Sequence, residues 1–244
     1  MANLTRLKML EDFDGVLLVD KPAGIPFPSV VKAVKRKFNI EKVGHGGSLD
    51  PASSGLLVLL VNGANARTGD VMGADRQWEG SMRLGLSTDT FDIQGSALET
   101  KTGPAPEPQT LLEAAKNFKG DVFLTESRWC SVRREGSAGY EKADTGEHKP
   151  FLAHVYRFDV APAEGAAGLP ASLPFKLYGT KGVILRSLVS DFGKELGCGA
   201  ALESSRRTAV GRFKVEDAVP FDKLLEADQT SFRSLCIPLS KAFG

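Results

Sequence analysis

The stretch that decides the fold is GHGGSLDPASSGLLVLLVNGA, Gly44 to Ala64. A bend rich in Gly and Ser opens it, Asp50 and Pro51 follow, and the apolar run Gly55 to Val61 closes it. That run reads as a buried strand and is far too short to span a bilayer. The bend matches neither of two known phosphate cradles. A P-loop needs GxxxxGK followed by Ser or Thr, and no GK pair here is followed by either. A dinucleotide fingerprint needs GxGxxG, and the sixth position from Gly44 is Leu49. What remains is a carboxylate, Asp50, pinned by a proline after a flexible bend. Reactive groups are often placed this way, on a loop held by rigid neighbours. An Asp before Pro is also an ordinary turn residue.

Outward from this stretch, GVLLVDKP (Gly15 to Pro22) reads as a strand stopped by its proline. Ser29 is placed to cap a helix through about Phe38, with Val30, Val31, Val34 and Phe38 on one face. Lys32, Lys35, Arg36 and Lys37 take much of the rest, as a solvated face or a phosphate-facing one. Gln77 to Leu86 alternates as a strand, Thr88 to Gly95 reads as a turn, and Thr102 to Pro108 as a proline-rich loop. Gln109 to Phe118 is helical by period, with Gly120 as a stop signal. Ala161 to Pro174 reads as a loop, strand patterns resume after it, and Ser187 to Leu196 reads as a helix ended by Gly197-Cys198-Gly199. Strands and helices mix without βαβ regularity or internal repeat, so the expected class is α+β, in one domain spanning 1–244.

Bulk charge does not announce a nucleic-acid binder: 31 basic residues against 30 acidic ones leave a net charge of +1. Local clustering does more. Residues 29–42 hold Lys32, Lys35, Arg36, Lys37 and Lys42 against Glu41 alone. Residues 181–214 hold Lys181, Arg186, Lys194, Arg206, Arg207, Arg212 and Lys214 against Asp191, Glu195 and Glu203. The cysteines, Cys130, Cys198 and Cys236, form no CxxC pair, which points away from a zinc ribbon or a disulfide framework and towards reduced thiols. The N-terminal MANLTRLKMLEDFDG lacks the apolar core of a signal peptide, so the expected compartment is the cytoplasm.

The 44–64 stretch resembles the signature of the TruB family of tRNA pseudouridine synthases, GH-T/G-G-x-LDP, then small residues, then G-L/M-L. Four further motifs resemble the family in order. GVLLVDKPAGI (15–25) is similar to its opening strand and turn, and SVVKAVKRKF (29–38) to its next helix. RLGLSTDTFDIQG (83–95) is similar to its LGxxTDTxDxxG. RSLVSDFGKELGCGAALESSRRTAVGRF (186–213) is similar to its C-terminal motif of an arginine, a helix ending in LGCGA, and a paired arginine. The resemblance implies a pseudouridine synthase fold, a mixed and largely antiparallel sheet with flanking helices and a central RNA-binding cleft. It implies isomerisation of a uridine in structured RNA, uridine 55 in the T-arm of tRNA above all, with no cofactor and no metal, by a monomer without membrane attachment.

The reaction breaks the N1–C1′ bond, turns the uracil and rejoins it through C5. One carboxylate suffices, either attacking C1′ or removing a ribose proton. The resemblance gives this role to Asp50 and names Arg186 as its partner. A guanidinium there would orient the carboxylate and favour its charged form. Substrate-binding residues implied in the same way are His45, Gly46, Gly47, Leu49, Lys21, Arg206, Arg207 and Trp78. Trp78 stands where the family usually has tyrosine: it keeps a stacking face for a flipped base and loses a phenolic hydroxyl. Other departures are Ile184-Leu185-Arg186 for Tyr-Ile-Arg, Ser205 for a leucine, and WCSVR (129–133) for Tyr-Ser-Ala-Leu-Lys. They bear on substrate choice and rate more than on fold. A PUA domain, common in bacterial members, is not expected after residue 244. Two rivals stand beside this reading. One is a non-catalytic RNA-binding or tRNA-folding protein on the same scaffold. The other is a glycosidase or nucleosidase, which would need a second carboxylate; Asp89 and Asp92 read better as turn residues.

Overall fold

The computed structural model describes residues 13–125, 129–134, 137–142, 150–161, 168–228 and 230–244, with backbone alone within 129–142. The chain divides into two compact units, Met1–Arg76 with Arg206–Gly244, and Gln77–Ser205.

The first unit is built on β1 (Gly15–Lys21) and β3 (Ser54–Val61), paired antiparallel from Gly15 opposite Val61 to Lys21 opposite Gly55. Side chains alternate across a strand, and here both faces are covered. Leu17, Val19, Leu57, Leu59 and Val61 enter one apolar cluster, and Val16, Leu18, Leu56, Val58 and Leu60 enter another. Hence the sequence shows unbroken apolar runs. Helix α1 (Phe27–Lys37) seals the first cluster with Val30 and Val34. It starts two residues before the expected Ser29 cap. Pro26 is the N-cap and no side chain caps the helix. Pro28, which reads as loop, sits in the first turn, where its missing N–H costs nothing. Strand β2 (Val43–His45) lies antiparallel on β3, with His45 opposite Leu59. A 3₁₀ turn (Asn62–Arg67) and α2 (Thr68–Gly73) follow.

Strand β4 (Arg76–Leu84) leads into the second unit. Strands β5 (Leu86–Thr88) and β6 (Ala97–Thr100) form a hairpin around the predicted 88–95 turn. Then come α3 (Pro108–Lys116), β7 (Gly120–Leu124), the hairpin of β8 (Trp129–Arg134) and β9 (Ser137–Lys142), β10 (Phe151–Val160), β11 (Ala171–Gly179) and α4 (Leu185–Glu195). Strand β10 pairs antiparallel with β7 on one side and β11 on the other. Leu111, Ala115, Leu188 and Phe192 from the helices pack against Leu124, Val155, Phe158, Leu173 and Phe175 from the strands. The expected loop Ala161–Pro174 is too long by four residues, since Ala171–Pro174 already belong to β11. Pro174 is tolerated there because it contributes an acceptor: its carbonyl takes the N–H of Ala161 at 3.1 Å.

Strand β12 (Ala200–Val210) carries the chain from the second unit into the first. Its C-terminal half pairs parallel with β3, Arg206 opposite Ser54 and Arg207 opposite Gly55. The remainder, β13 (Phe213–Lys214), β14 (Val219–Pro220), α5 (Phe221–Glu226), α6 (Phe232–Leu235), β15 (Cys236–Pro238) and α7 (Leu239–Phe243), closes the first unit. Strands β14 and β15 pair with β1, parallel and antiparallel respectively. The α+β expectation holds. No described helix is long and apolar enough to cross a membrane.

Candidate active site

In the first unit Asp50 sits half-buried on the loop between β2 and β3. Backbone bonds give the loop its course. Gly46 donates to the Val58 carbonyl at 2.8 Å, Ser53 donates to the Asp50 carbonyl at 3.0 Å, and Gly24 donates to the Pro51 carbonyl at 2.8 Å. Leu49 anchors it by burial in the interior.

Two buried cations support the same loop. The Lys21 Nζ donates to the carbonyls of Pro22 and Ile25, both at 2.8 Å, and of Pro51 at 3.2 Å. Burial lowers its pKa to about 8, the Asp50 charge works against that fall, and Arg207 adds to it. Arg207 is 1% exposed. Its Nε donates to the Leu56 carbonyl at 2.8 Å, Nη1 to Ser48 at 2.8 Å, and Nη2 to Gly47 at 3.3 Å. Burial and then the neighbouring Arg76 push this guanidinium below its ordinary pKa, and Asp50 pulls it back up. Each cation thus feels the Asp50 carboxylate while its nitrogens hold the loop carbonyls. Lys21 and Arg207, which the family resemblance assigns to substrate binding, lie under the loop, and Leu49, assigned likewise, lies within it; all three are buried. Arg206 is turned elsewhere as well. Successive side chains on β12 point to opposite faces, and so do Asp20 and Lys21 on β1. Arg206 therefore meets Asp20 in a two-bond pair at 2.9 and 2.7 Å, while Arg207 and Lys21 meet the loop.

The glycines have steric reasons to be there. Gly55 has φ +100°, and a Cβ on it would lie 2.3 Å from the Arg207 carbonyl oxygen. A Cβ on Gly46 would fall 2.1 Å from a Val71 methyl, and one on Gly47 (φ +131°) 2.8 Å from the Arg76 guanidinium. Arg76 itself donates to Ala74, Met72 and Gly46 carbonyls, at 2.7, 3.1 and 3.4 Å. The His45 Nδ1 accepts the Gly47 N–H at 3.3 Å, which places the proton of the neutral ring on Nε2. Its ring packs on Phe27, centroids 4.7 Å apart and planes tilted by 57°.

In the second unit Arg186 lies buried in the first turn of α4. Its Nη1 donates to the Thr90 carbonyl at 3.1 Å and lies 3.7 Å from the Asp92 carboxylate. Asp92 in turn accepts from the Thr90 hydroxyl at 2.8 Å and the Gln94 N–H at 3.0 Å, and Asp89 accepts from the Ser96 N–H at 2.8 Å. Both are turn residues, as expected, and Asp92 also pairs with the arginine. Trp78 is partly buried against this unit's core. His154, which shows no constellation in sequence, bonds to Asp121 at 2.6 Å. His148 and the Cys130 side chain lie outside the described residues. Cys198 and Cys236 are free and buried, and burial pushes both thiols up, Cys236 to about 12. Among the described residues no His, Cys, Asp or Glu cluster is arranged to hold a metal ion.

The model of the TruB family pseudouridylate synthase N-terminal domain matches residues 35–166, which include Asp50, and the tRNA pseudouridylate synthase B C-terminal domain matches 186–243. A tRNA pseudouridine synthase B from Opitutus terrae is 33% identical over 235 residues, covering 95% of each chain. The chain belongs to the TruB family. Another TruB-family relative, the tRNA pseudouridine synthase B of Burkholderia pseudomallei, is 36% identical over 88% of this chain and 70% of its own. Among solved structures, one of a Cbf5–Nop10–Gar1 complex matches with TM-score 0.72 and 26% identity. A structure of an H/ACA RNP bound to a substrate RNA containing 2′-deoxyuridine matches with TM-score 0.69 and 26% identity. Each covers 97% of this chain, which spans 63% and 62% of the matched chains.

Family motifs point to Asp50, Arg186, Lys21 and Arg207 but not to every group around them. Asp20, Phe27 and Arg76 escape a reading of the sequence, and Asp92, read there as a turn residue, also pairs with Arg186. The signal for Asp20 is its place beside Lys21 in a strand, opposite in facing. For Phe27 no sequence signal exists, since its contact depends on α1 starting early.

Proposed function

We propose that this TruB-family chain converts uridine to pseudouridine in tRNA, at position 55 of the T-arm, with Asp50 as the catalytic carboxylate. The observation that carries this is the support of one half-buried aspartate by two buried cations, Lys21 and Arg207, through the carbonyls around it. Such support costs desolvation of both cations, and a solvent-facing turn aspartate has no use for it. It does suit a carboxylate that must keep one position while a base is flipped to it. In the reaction the N1–C1′ bond breaks, a C5–C1′ bond forms, C5 loses its hydrogen as a proton, and N1 gains one. Asp50 either adds to C1′ and is displaced again, or takes a ribose proton and returns it. Arg186 is the second residue of the reaction, an assignment resting on the family motif at 186–213. Trp78 and His45 are assigned to the RNA.

The test is release of tritium from 5-tritiated uridine in a T-arm transcript. Wild type releases it and Asp50→Ala does not, with a loss of at least about 10⁴-fold and RNA affinity kept. A transcript with cytidine at position 55 releases none. Wild type that binds RNA and releases no tritium would overturn the reading in favour of a non-catalytic RNA-binding protein.

A further inference from the structure

Of the two basic clusters in the sequence, the second has four of its seven cations buried or paired with a carboxylate. Arg186 and Arg207 are buried, Arg206 is held by Asp20, and Lys194 by Asp191 at 2.7 Å. The first cluster keeps its charge outside. Lys32, Lys35, Arg36 and Lys42 are exposed, and none makes an ion pair among the described residues. Lys37 differs, lying over the Phe38 ring at 5.8 Å.

Ordinary helix energetics accounts for part of this strip. Cations in a last turn complement the macrodipole, which covers Lys35 and Arg36. It does not cover Lys32 in the middle of α1 or Lys42 beyond it. Moreover Lys32–Lys35 and Lys32–Arg36 are like charges at i,i+3 and i,i+4, where neighbours repel. Three cations stand within about 6 Å of helix axis, on the basis of roughly 1.5 Å rise per residue. The helix that carries the strip also starts beside the candidate site, because Phe27, its first residue, packs on His45 of the loop strand. Closely spaced, uncompensated cations leading away from a loop that receives a nucleotide fit a phosphodiester backbone.

We infer that the outer face of α1 (Lys32, Lys35 and Arg36, with Lys42 beyond it) is a second RNA-contact surface that grips the substrate's backbone away from the target nucleotide. This rests on the proposed RNA substrate and adds where the RNA runs.

The experiment compares wild type, the triple variant K32Q/K35Q/R36Q and a control, K116Q/K119Q, which removes two exposed cations elsewhere. Glutamine keeps helix propensity close to that of lysine and arginine. Affinity for the T-arm transcript is measured against salt, with single-turnover tritium release at saturating RNA. The slope of log K against log salt should fall by about 2–3 in the triple variant, at roughly 0.7–0.9 for each phosphate that is no longer neutralised. Between 50 and 200 mM salt its affinity then drops roughly 15- to 60-fold less than that of wild type. The control keeps the wild-type slope, and the saturated rate of the triple variant stays at wild type. An unchanged slope overturns the inference, as does an equal change in the control. Loss of binding to phosphatidylserine vesicles with RNA binding intact overturns it in favour of a membrane surface. If wild type binds RNA without releasing tritium, the catalytic reading falls, while the slope difference still decides the surface.

Discussion

Replacing Arg207 by lysine keeps a positive charge and removes the planar fork. Three carbonyls depend on that fork: Leu56 on β3, and Ser48 and Gly47 in the loop, at 2.8, 2.8 and 3.3 Å. A single ammonium cannot meet all three at their present positions, so about two buried acceptors lose their donor. At roughly 1–2 kcal/mol for each unsatisfied group, Arg207→Lys costs about 2–4 kcal/mol. For a chain of this size, at roughly 2–4 °C per kcal/mol, the midpoint falls by about 4–16 °C. Arg207→Met removes the charge too and falls further. The loop loosens before the fold is lost. Amide exchange at Gly46 and Ser53, whose N–H groups bond to Val58 and Asp50, therefore accelerates more than exchange in β1. Turnover drops by about 10²-fold, the scale for a misplacement near 1 Å, with KM for RNA little changed. Calorimetry, hydrogen exchange and tritium release check the three parts. Arg207→Lys with wild-type midpoint and wild-type exchange would refute the claim that these bonds hold the loop.

Lys21 gives a pH signature. Its folded pKa, about 8, lies below the ordinary 10.5, so between those values the unfolded chain holds a proton that the folded chain has released. Stability from this group therefore rises with pH across that window, and the midpoint of wild type minus that of Lys21→Met should climb from pH 8 to 10. Parallel curves would contradict the assignment. Arg206→Gln should cost about 1–2 kcal/mol by breaking its pair with Asp20. It should also leave the salt slope of RNA binding unchanged, and a slope drop of one or more would show Arg206 on the RNA. Trp78→Tyr should keep or raise turnover in the tritium assay; a large loss would mean that the indole has a role of its own.

The first unit's strands were legible because burial on both faces writes itself as an apolar run. Val16–Val19 and Leu56–Val61 could hardly be anything else. The start of α1 was not legible, since Pro26, Phe27 and Pro28 read as loop until the helix is seen to accept a proline in its first turn. The beginning of β11 was hidden for a similar reason: Ala171 and Pro174 carry no strand propensity, and their place comes from neighbouring β10. At the candidate site, the motif singles out Asp50 but not which of two adjacent arginines turns to its loop. A strand puts Arg206 and Arg207 on opposite sides, and only the pairing of β12 with β3 at Ser54 and Gly55 decides which side is which.

That pairing has a consequence for how the protein is made. The bonds from Arg207 to Leu56, Ser48 and Gly47 cross 151, 159 and 160 positions of sequence. Synthesis runs from the N-terminus, so β1 and β3 leave the ribosome long before their last clamp exists. The bond from Lys21 to the Pro51 carbonyl crosses only 30 positions, so its partners are made well before Arg207 is. Long-range closures of this kind come late because their chain entropy must be offset at once. A nascent or prematurely terminated chain that stops short of β12 therefore carries Asp50 without the arginine that holds the carbonyls of its loop.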